Sequence, residues 1–290
     1  MKRVGLVTIS VLLSCLAVPA PAQDAAQRRI WNAPTAPFRL IGNVYYVGTA
    51  GLSSFLIVDP AGLVLIDGAL PESAPLIAAN IRRLGFRLRD IRYLLNNHSH
   101  ADHAGGLAAL QRESGAQVAV SAGDRADLIA GQTIGRPELG RFPPVRPTIA
   151  IREGSIIRVG KTLLTARLTP GHTDGATSWT LRTAEDGKPV DVLFLSSLSV
   201  AGRDLVRGTP PRDTAAVAEF RSTFRRLATM NADVVLSYHA EQYDLIAKRK
   251  AQKAGNPRAF VDPAALPRMV ADAKRNFEQA LADQRRARRP

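Results

Sequence analysis

Sulfur is almost missing from this chain: 290 residues contain one cysteine, Cys15. Disulfide staples and thiolate metal ligands are excluded together once the first residues are set aside. Aromatic residues make up only 6% of the chain, and none is interleaved with the basic clusters. The stacking surface of a single-strand nucleic-acid binder is therefore absent despite a net charge of +14. The basic residues are scattered and cluster only at Lys248-Arg249-Lys250 and in the tail at Arg285, Arg286, Arg288 and Arg289. That pattern reads as a solvated basic surface with a frayed end, and no nucleic-acid partner is expected. Attraction of anionic substrates or of an anionic cell envelope stays open.

Long apolar runs are scarce too. The one that stands out, Val4 to Val18, follows Lys2 and Arg3 and precedes Ala20-Pro21-Ala22. It is short for a bilayer span and has the layout of a secretory signal peptide over residues 1–22. Cleavage after Ala22 leaves a mature chain of 23–290 starting at Gln23, exported to the periplasm without stable membrane insertion. Leu12-Leu13-Ser14-Cys15 loosely resembles a lipoprotein processing site. The apolar Leu16-Ala17-Val18 behind it argues against a lipidated start.

What remains alternates strand and helix signals. After an arm containing Trp31, short β-rich runs fall at 44–49, 55–58 and 64–66 between Gly, Ser and Pro punctuation. Ser73-Ala74-Pro75 opens a helix whose Ile77, Ile81 and Leu84 share a face, with Gly85 as its stop. A strand at 91–95, a helix at 104–113, a strand at 118–120 and a helix at 124–129 follow. Residues 131–147, rich in Gly, Pro and Arg, read as a surface loop. The second half repeats the pattern, with strands at 156–159, 163–168, 178–181 and 192–195, a helix at 214–227 and a strand at 234–236. Val270, Phe277 and Leu281 then mark one face of a C-terminal helix. Strands grouped before helices, twice over, imply an α+β sandwich of two mixed β-sheets with helices on both outer sides. No linker separates the halves, so 23–290 reads as one domain with internal two-part symmetry.

Histidine is rare, and its placement is the strongest signal in the chain. The five are His98, His100, His103, His172 and His239. Three lie in Asn97-His98-Ser99-His100-Ala101-Asp102-His103, after a strand and before a helix. Residues two apart in an extended segment project to one side, so His98, His100 and Asp102 can converge. A turn into the helix at Ala104-Gly105-Gly106 is needed to bring His103 round. His172 sits in a Pro/Gly turn after a strand, and His239 follows the strand 234–236. A lone histidine is usually a satisfied core or surface residue. That explanation strains against three histidines and an aspartate within six residues, with the other two also at strand ends. Six ligands without sulfur suit an imidazole-binding metal, zinc above all. Six also divides into three plus three, the pattern of catalytic ions that keep an open position. Two such ions lie about 3.5–4 Å apart in dinuclear sites.

These residues resemble a known family. H-x-H-x-D-H at 98–103, Gly-His-Thr around His172 and the late His239 are similar to the metallo-β-lactamase superfamily, over essentially the whole mature chain. Trp31-Asn32, Pro37-Phe38, Tyr45-Tyr46-Val47-Gly48-Thr49, Pro170 to Thr173, Thr177-Ser178-Trp179 and Ser197-Leu198-Ser199 resemble its subclass B3 β-lactamases. The resemblance implies an αβ/βα four-layer sandwich with the active site at one sheet edge. It implies two Zn2+ per chain, with His98, His100 and His172 on one and Asp102, His103 and His239 on the other, a partition that spacing leaves open. It further implies hydrolysis of a small-molecule β-lactam by a zinc-activated hydroxide that Asp102 orients, by a monomer. Ser197 and Ser199 would hydrogen-bond the substrate carboxylate; without the resemblance they read equally as polar caps of a strand end.

Phe194-Leu195-Ser196-Ser197 discriminates between branches. Glyoxalase-II-like, lactonase-like and phosphodiesterase-like relatives carry a metal-bridging aspartate after this strand, and two other lactamase subclasses carry a cysteine. Asp67 is either a buttress of the His98 loop or a simple turn residue. Asp174, Tyr238 and Asp67-Gly68-Ala69 depart from the family's usual residues, and none of these departures replaces an implied ligand. Two alternatives stay in play. One is a relative that hydrolyses another ester, lactone or amide, and the other is a zinc-storing or nucleic-acid-binding envelope protein.

Overall fold

The computed structural model describes residues 20–208 and 211–288, with side chains from residue 25 onward. Most of the segment expected to be a signal peptide therefore lies outside the described residues. The first half runs α1 (Ala20–Trp31), β1 (Phe38–Ile41), β2 (Val44–Tyr46), β3 (Phe55–Asp59), β4 (Gly62–Ile66) and α2 (Ala74–Arg83). It continues through β5 (Ile91–Leu95), α3 (Ala101–Ala104), α4 (Leu107–Ser114), β6 (Gln117–Ser121), α5 (Ala122–Ala130) and β7 (Ile149–Ile151). The second half runs β8 (Ile156–Val159), β9 (Thr162–Leu168), β10 (Thr177–Glu185), β11 (Lys188–Leu195), β12 (Val206–Arg207) and β13 (Arg212–Asp213). It ends with α6 (Ala215–Leu227), β14 (Val234–Ser237), α7 (Leu245–Lys253) and α8 (Ala265–Ala287).

The strands form a seven-stranded sheet in the order β1-β2-β3-β4-β5-β6-β7, a five-stranded sheet in the order β14-β11-β10-β9-β8, and a separate two-stranded ribbon of β12 and β13. Both large sheets are mixed. β1 to β4 pair antiparallel and β4 to β7 parallel, while β14 alone runs parallel to its neighbour β11 in the second sheet.

Strand alternation builds the layers. Along β4, Val64 and Ile66 face the core between the sheets, while Leu63 and Leu65 face the helical layer outside. Along β11, Val190, Val192 and Phe194 face the same central core, and Leu193 and Leu195 face α6 and α8. Each strand is thus apolar on both faces, as a sheet covered on both sides requires. Ile77 and Ile81 of α2 and Leu107 and Leu110 of α4 close the first outer face. Phe220 and Phe224 of α6 with Phe277 and Leu281 of α8 close the second. Trp179, wholly buried at the centre, joins the two halves.

The result is the four-layer α+β sandwich expected from the pattern. Several elements differ from the expectation. The arm before Trp31 is helical. The helix expected over 104–113 starts earlier and breaks at Gly105-Gly106, because the chain needs two short pieces to pass Gly68 and Pro71 there. β10 and β11 run past their apolar stretches into polar, solvent-facing residues and close through Asp186-Gly187, both at positive φ as a tight hairpin requires. Among the described residues no helix is long and apolar enough to cross a membrane.

Candidate metal centre

Direction of the strands gathers the histidines. β4, β5 and β6 are parallel, and their C-terminal ends lead to Asp67, to the His98 loop and to α5. β9, β11 and β14 likewise share one direction, and lead to His172, Ser197 and His239. Two bonds tie the two sets of ends together. Thr177 N donates to the Asn97 carbonyl at 2.8 Å, and Ser196 Oγ donates to the same oxygen at 3.0 Å.

All five histidines and Asp102 line a single cavity of about 400 Å³. They fall into two groups. His100 Nδ1 lies 3.1 Å from His172 Nε2, and the His98 ring sits 4.8 and 4.5 Å from those two rings. Asp102 Oδ2 lies 3.2 Å from His103 Nε2 and 3.2 Å from His239 Nε2. His103 is brought round by α3, which begins at Ala101, one turn earlier than the sequence suggests.

Electrostatics separates the groups as well. Burial pushes His100 down to about 2 and His172 down to about 4, and holds His98 well below its ordinary value. These three imidazoles are neutral at pH 7 and hold lone pairs ready. The His172 Nδ1–H donates to the Ser199 carbonyl at 2.7 Å, which leaves Nε2 as the free acceptor. Burial opposes charge on His103 too, but Asp102 and Asp67 outweigh it and raise His103 to about 10. Burial would lift the Asp102 carboxyl, yet the charge on His103 and the close approach of the His103 and His239 rings hold it well below the carboxylate range. The protons that bind this second group together are those that a cation would displace.

The donor set fits a metal. Buried nitrogens of His98, His100, His103 and His239 have no hydrogen-bond partner among the described residues. His98, His100 and His172 converge closely enough to share one ion, as do His98, Asp102 and His103. Ligands about 2.0–2.1 Å from one tetrahedral ion stand roughly 3.3–3.4 Å apart, which is close to the three short contacts above. This is a divalent-metal site by its own chemistry.

Asp67 buttresses it. Its Oδ1 accepts from Asn97 N at 2.7 Å and Asn96 Nδ2 at 3.2 Å, and its Oδ2 lies 3.5 Å from His103 Nδ1. Of the two candidate serines, Ser199 lines the cavity, whereas Ser197 is buried behind it and donates to the Tyr238 hydroxyl at 2.8 Å. Tyr238 itself was not a candidate from sequence, although its neighbour His239 points to it. Its ring packs edge-on against His98 at 5.4 Å and His103 at 5.2 Å. Trp31, at the end of α1, meets His239 at 4.9 Å.

Asp124 of α5 is a further residue that the sequence reading passed over. Its carboxyl accepts from Thr173 Oγ1 at 3.0 Å and Gly175 N at 2.9 Å. It thereby pins the His172 loop to the start of α5. Burial outweighs these donors and raises Asp124 to about 7 from an unfolded value of 3.8. A raised carboxyl favours the folded state only while protonated. Its ionisation in the unfolded chain therefore erodes stability from about pH 4 up to pH 7, and the loss levels off above that. Asp124→Asn should cancel this slope. Urea midpoints of metal-free protein between pH 4 and 8 should show the parent losing ground to the variant as pH rises. Parallel curves would mean that Asp124 stays ionised throughout.

Residues 47–239 match the metallo-beta-lactamase superfamily. Among solved structures the chain is similar to the Rm3 metallo-beta-lactamase, with 41% identity, TM-score 0.83, and coverage of 88% of this chain and 97% of that one. It is also similar to BJP-1, a subclass B3 metallo-beta-lactamase of Bradyrhizobium japonicum, with 38% identity, TM-score 0.84, and 90% and 98% coverage. Among curated proteins it matches a hydroxyacylglutathione hydrolase of Rhodopseudomonas palustris at 36% identity over 119 residues, 41% of this chain and 39% of that protein. The match thus spans about two fifths of the length of that relative. With fold, site geometry and the match over 47–239 in agreement, the chain belongs to the metallo-beta-lactamase superfamily, as a hydrolase whose structural neighbours are subclass B3 enzymes.

Proposed function

We propose that this protein hydrolyses the amide bond of β-lactams, using two zinc ions per chain. The observation that carries the reading lies after β11. No carboxylate stands there to bridge two metals: Ser196 Oγ is spent on the Asn97 carbonyl and Ser197 Oγ on Tyr238. The acidic ligand is Asp102 alone, in a set of five histidines, which is the arrangement that the subclass B3 resemblance implies. The likeness to subclass B3 structures over nearly their whole length supports the same reading.

His98, His100 and His172 would hold one zinc, and Asp102, His103 and His239 the other. Bound zinc supplies a Lewis acid for the carbonyl and lowers the pKa of water to about 7, so that hydroxide is available at neutral pH. The chain's own contribution is placement. Ser199 fixes the His172 tautomer through its carbonyl, and its hydroxyl borders the cavity where a substrate carboxylate would lie. Trp31 and Tyr238 both line the cavity and pack edge-on against the His239 ring, which holds its orientation. Export to the periplasm after removal of residues 1–22 belongs to the same proposal, and a secreted chain whose mass starts at Gln23 would bear it out.

The match to a hydroxyacylglutathione hydrolase favours a second reading, hydrolysis of a thioester or another ester. One experiment separates them: metal content, with turnover of a penicillin, a carbapenem and a hydroxyacyl-glutathione thioester, before and after a chelator. The expected result is β-lactam turnover that disappears with the metal and returns with zinc. Zinc-loaded protein that cleaves the thioester and no β-lactam would overturn the proposal and leave the fold untouched.

A further inference from the structure

Two cavities meet at the histidines. Beside the cavity of about 400 Å³ lies a second of about 670 Å³, and His100, His172 and Glu138 belong to the walls of both. Two segments run along the pair, the loop 131–147 and the stretch that follows β11, and each changes sides at one point. Along the loop, Thr133 to Arg136 border the second cavity, and Leu139 and Gly140 border the first. After β11, Ser199 and Ala201 border the first, and Gly202 and Arg203 the second.

Arg136 crosses at that seam. Its Nη2 donates to the Ala201 carbonyl at 2.6 Å and its Nε to Glu138 Oε1 at 2.8 Å. Nη1 is buried without a partner among the described residues, so the guanidinium is held by two of its three nitrogens. The acceptor is presented by a tight turn, with Ala201 at φ 47° and Gly202 at φ 72°. The side chain is only 19% exposed, which is unusual for an arginine in a surface loop. These bonds latch the loop onto the segment after β11.

We infer that Arg136 is a specificity-determining residue: its bond to Ala201 is the partition that keeps the two cavities apart and so limits the acyl substituent that a substrate can carry. This rests on the β-lactamase reading. The second cavity adds about 670 Å³ and is lined by Asp127, Thr133, Arg203 and Asp204, so the substituent that it would admit is bulky and polar.

The test compares two penicillins with the same nucleus and ring carboxylate, one with an acetamido side chain and one with a branched ureido-type side chain. Arg136→Ala should raise the ratio of kcat/KM, branched over small, at least tenfold, chiefly through a lower KM for the branched compound. Arg136→Lys keeps the charge but cannot make both bonds, and should raise the ratio about threefold. A ratio unchanged within twofold in Arg136→Ala overturns the inference. Equal losses for both compounds that lysine restores also overturn it, since they mark a charge effect. Binding to zinc-loaded protein gives an arm independent of turnover, with calorimetry on mercaptoacetic acid and on a branched aryl thiol carboxylate. Arg136→Ala should tighten only the branched thiol, at least tenfold, and equal affinities in parent and variant would again refute the partition. If the parent cleaves neither penicillin, the β-lactam reading fails, while the thiol pair still reads the partition itself.

Discussion

Asp102→Asn is expected to abolish hydrolysis to within about one part in 10³ while leaving the fold intact. The amide has the shape of the carboxylate, so the buried loop from His98 to His103 keeps its packing. What changes is charge and donor sense. Asp102 Oδ2 faces two imidazole nitrogens at 3.2 Å each, and an amide NH2 in that position presents hydrogens to atoms that must offer lone pairs to a cation. Rotating the amide replaces the lost oxygen but not the lost charge. Removing one preorganised electrostatic group costs roughly 10²–10³ in kcat, and weakening the second ion adds to that. Metal content, circular dichroism and kcat measured on one preparation decide the matter. Hydrolysis within tenfold of the parent would remove Asp102 from the machinery and favour a zinc-storing protein.

The sequence made this group legible because its chemistry is local. Three histidines and one aspartate within six residues leave little freedom, and strand–loop–helix grammar puts them at a sheet edge. His172 and His239 were legible for the same reason, each directly after an apolar run that ends in a turn. The strands that carry opposed apolar faces, β4, β5 and β11, announced the sandwich in the same way. What stayed hidden depends on contacts distant in sequence. Asp124 looks like any helix aspartate until Thr173 and Gly175, some fifty residues on, are seen to donate to it. Arg136 sits in a loop whose composition predicts solvent, and only the turn at Ala201 gives it a role. Ser197 reads like Ser199 from the sequence, and the Tyr238 hydroxyl to which it donates lies 41 residues later. The arm before Trp31 showed too weak a pattern to be read as a helix. Tertiary contact with His239 and Gly51 fixes where that helix ends.

Asp67→Ala should produce the largest loss of stability of any change at the site, about 2–4 kcal/mol, together with a loss of metal. Asp67 is fully buried and sits at φ 62°, a conformation that aspartate tolerates better than most residues. Alanine leaves the Asn97 N–H without its 2.7 Å acceptor, and a buried unpaired N–H costs roughly 1–3 kcal/mol. The left-handed backbone adds strain for alanine. The same carboxylate faces His103 Nδ1, so its removal frees the ring to turn and lowers affinity at the Asp102–His103–His239 group by about 10–100-fold. Asp67→Asn separates the two effects. The amide oxygen can still accept from Asn97, so stability should stay within about 1 kcal/mol of the parent. The charge beside His103 is gone, so metal affinity should still fall, by about tenfold. Denaturant midpoints of the metal-free proteins read the first quantity, and competition with a chromogenic chelator reads the second. Equal metal affinity in Asp67→Asn and the parent would reduce Asp67 to a turn residue, the plainer of its two readings. A fall in affinity without a fall in stability would show one carboxylate serving both the backbone of the His98 loop and the ring of His103.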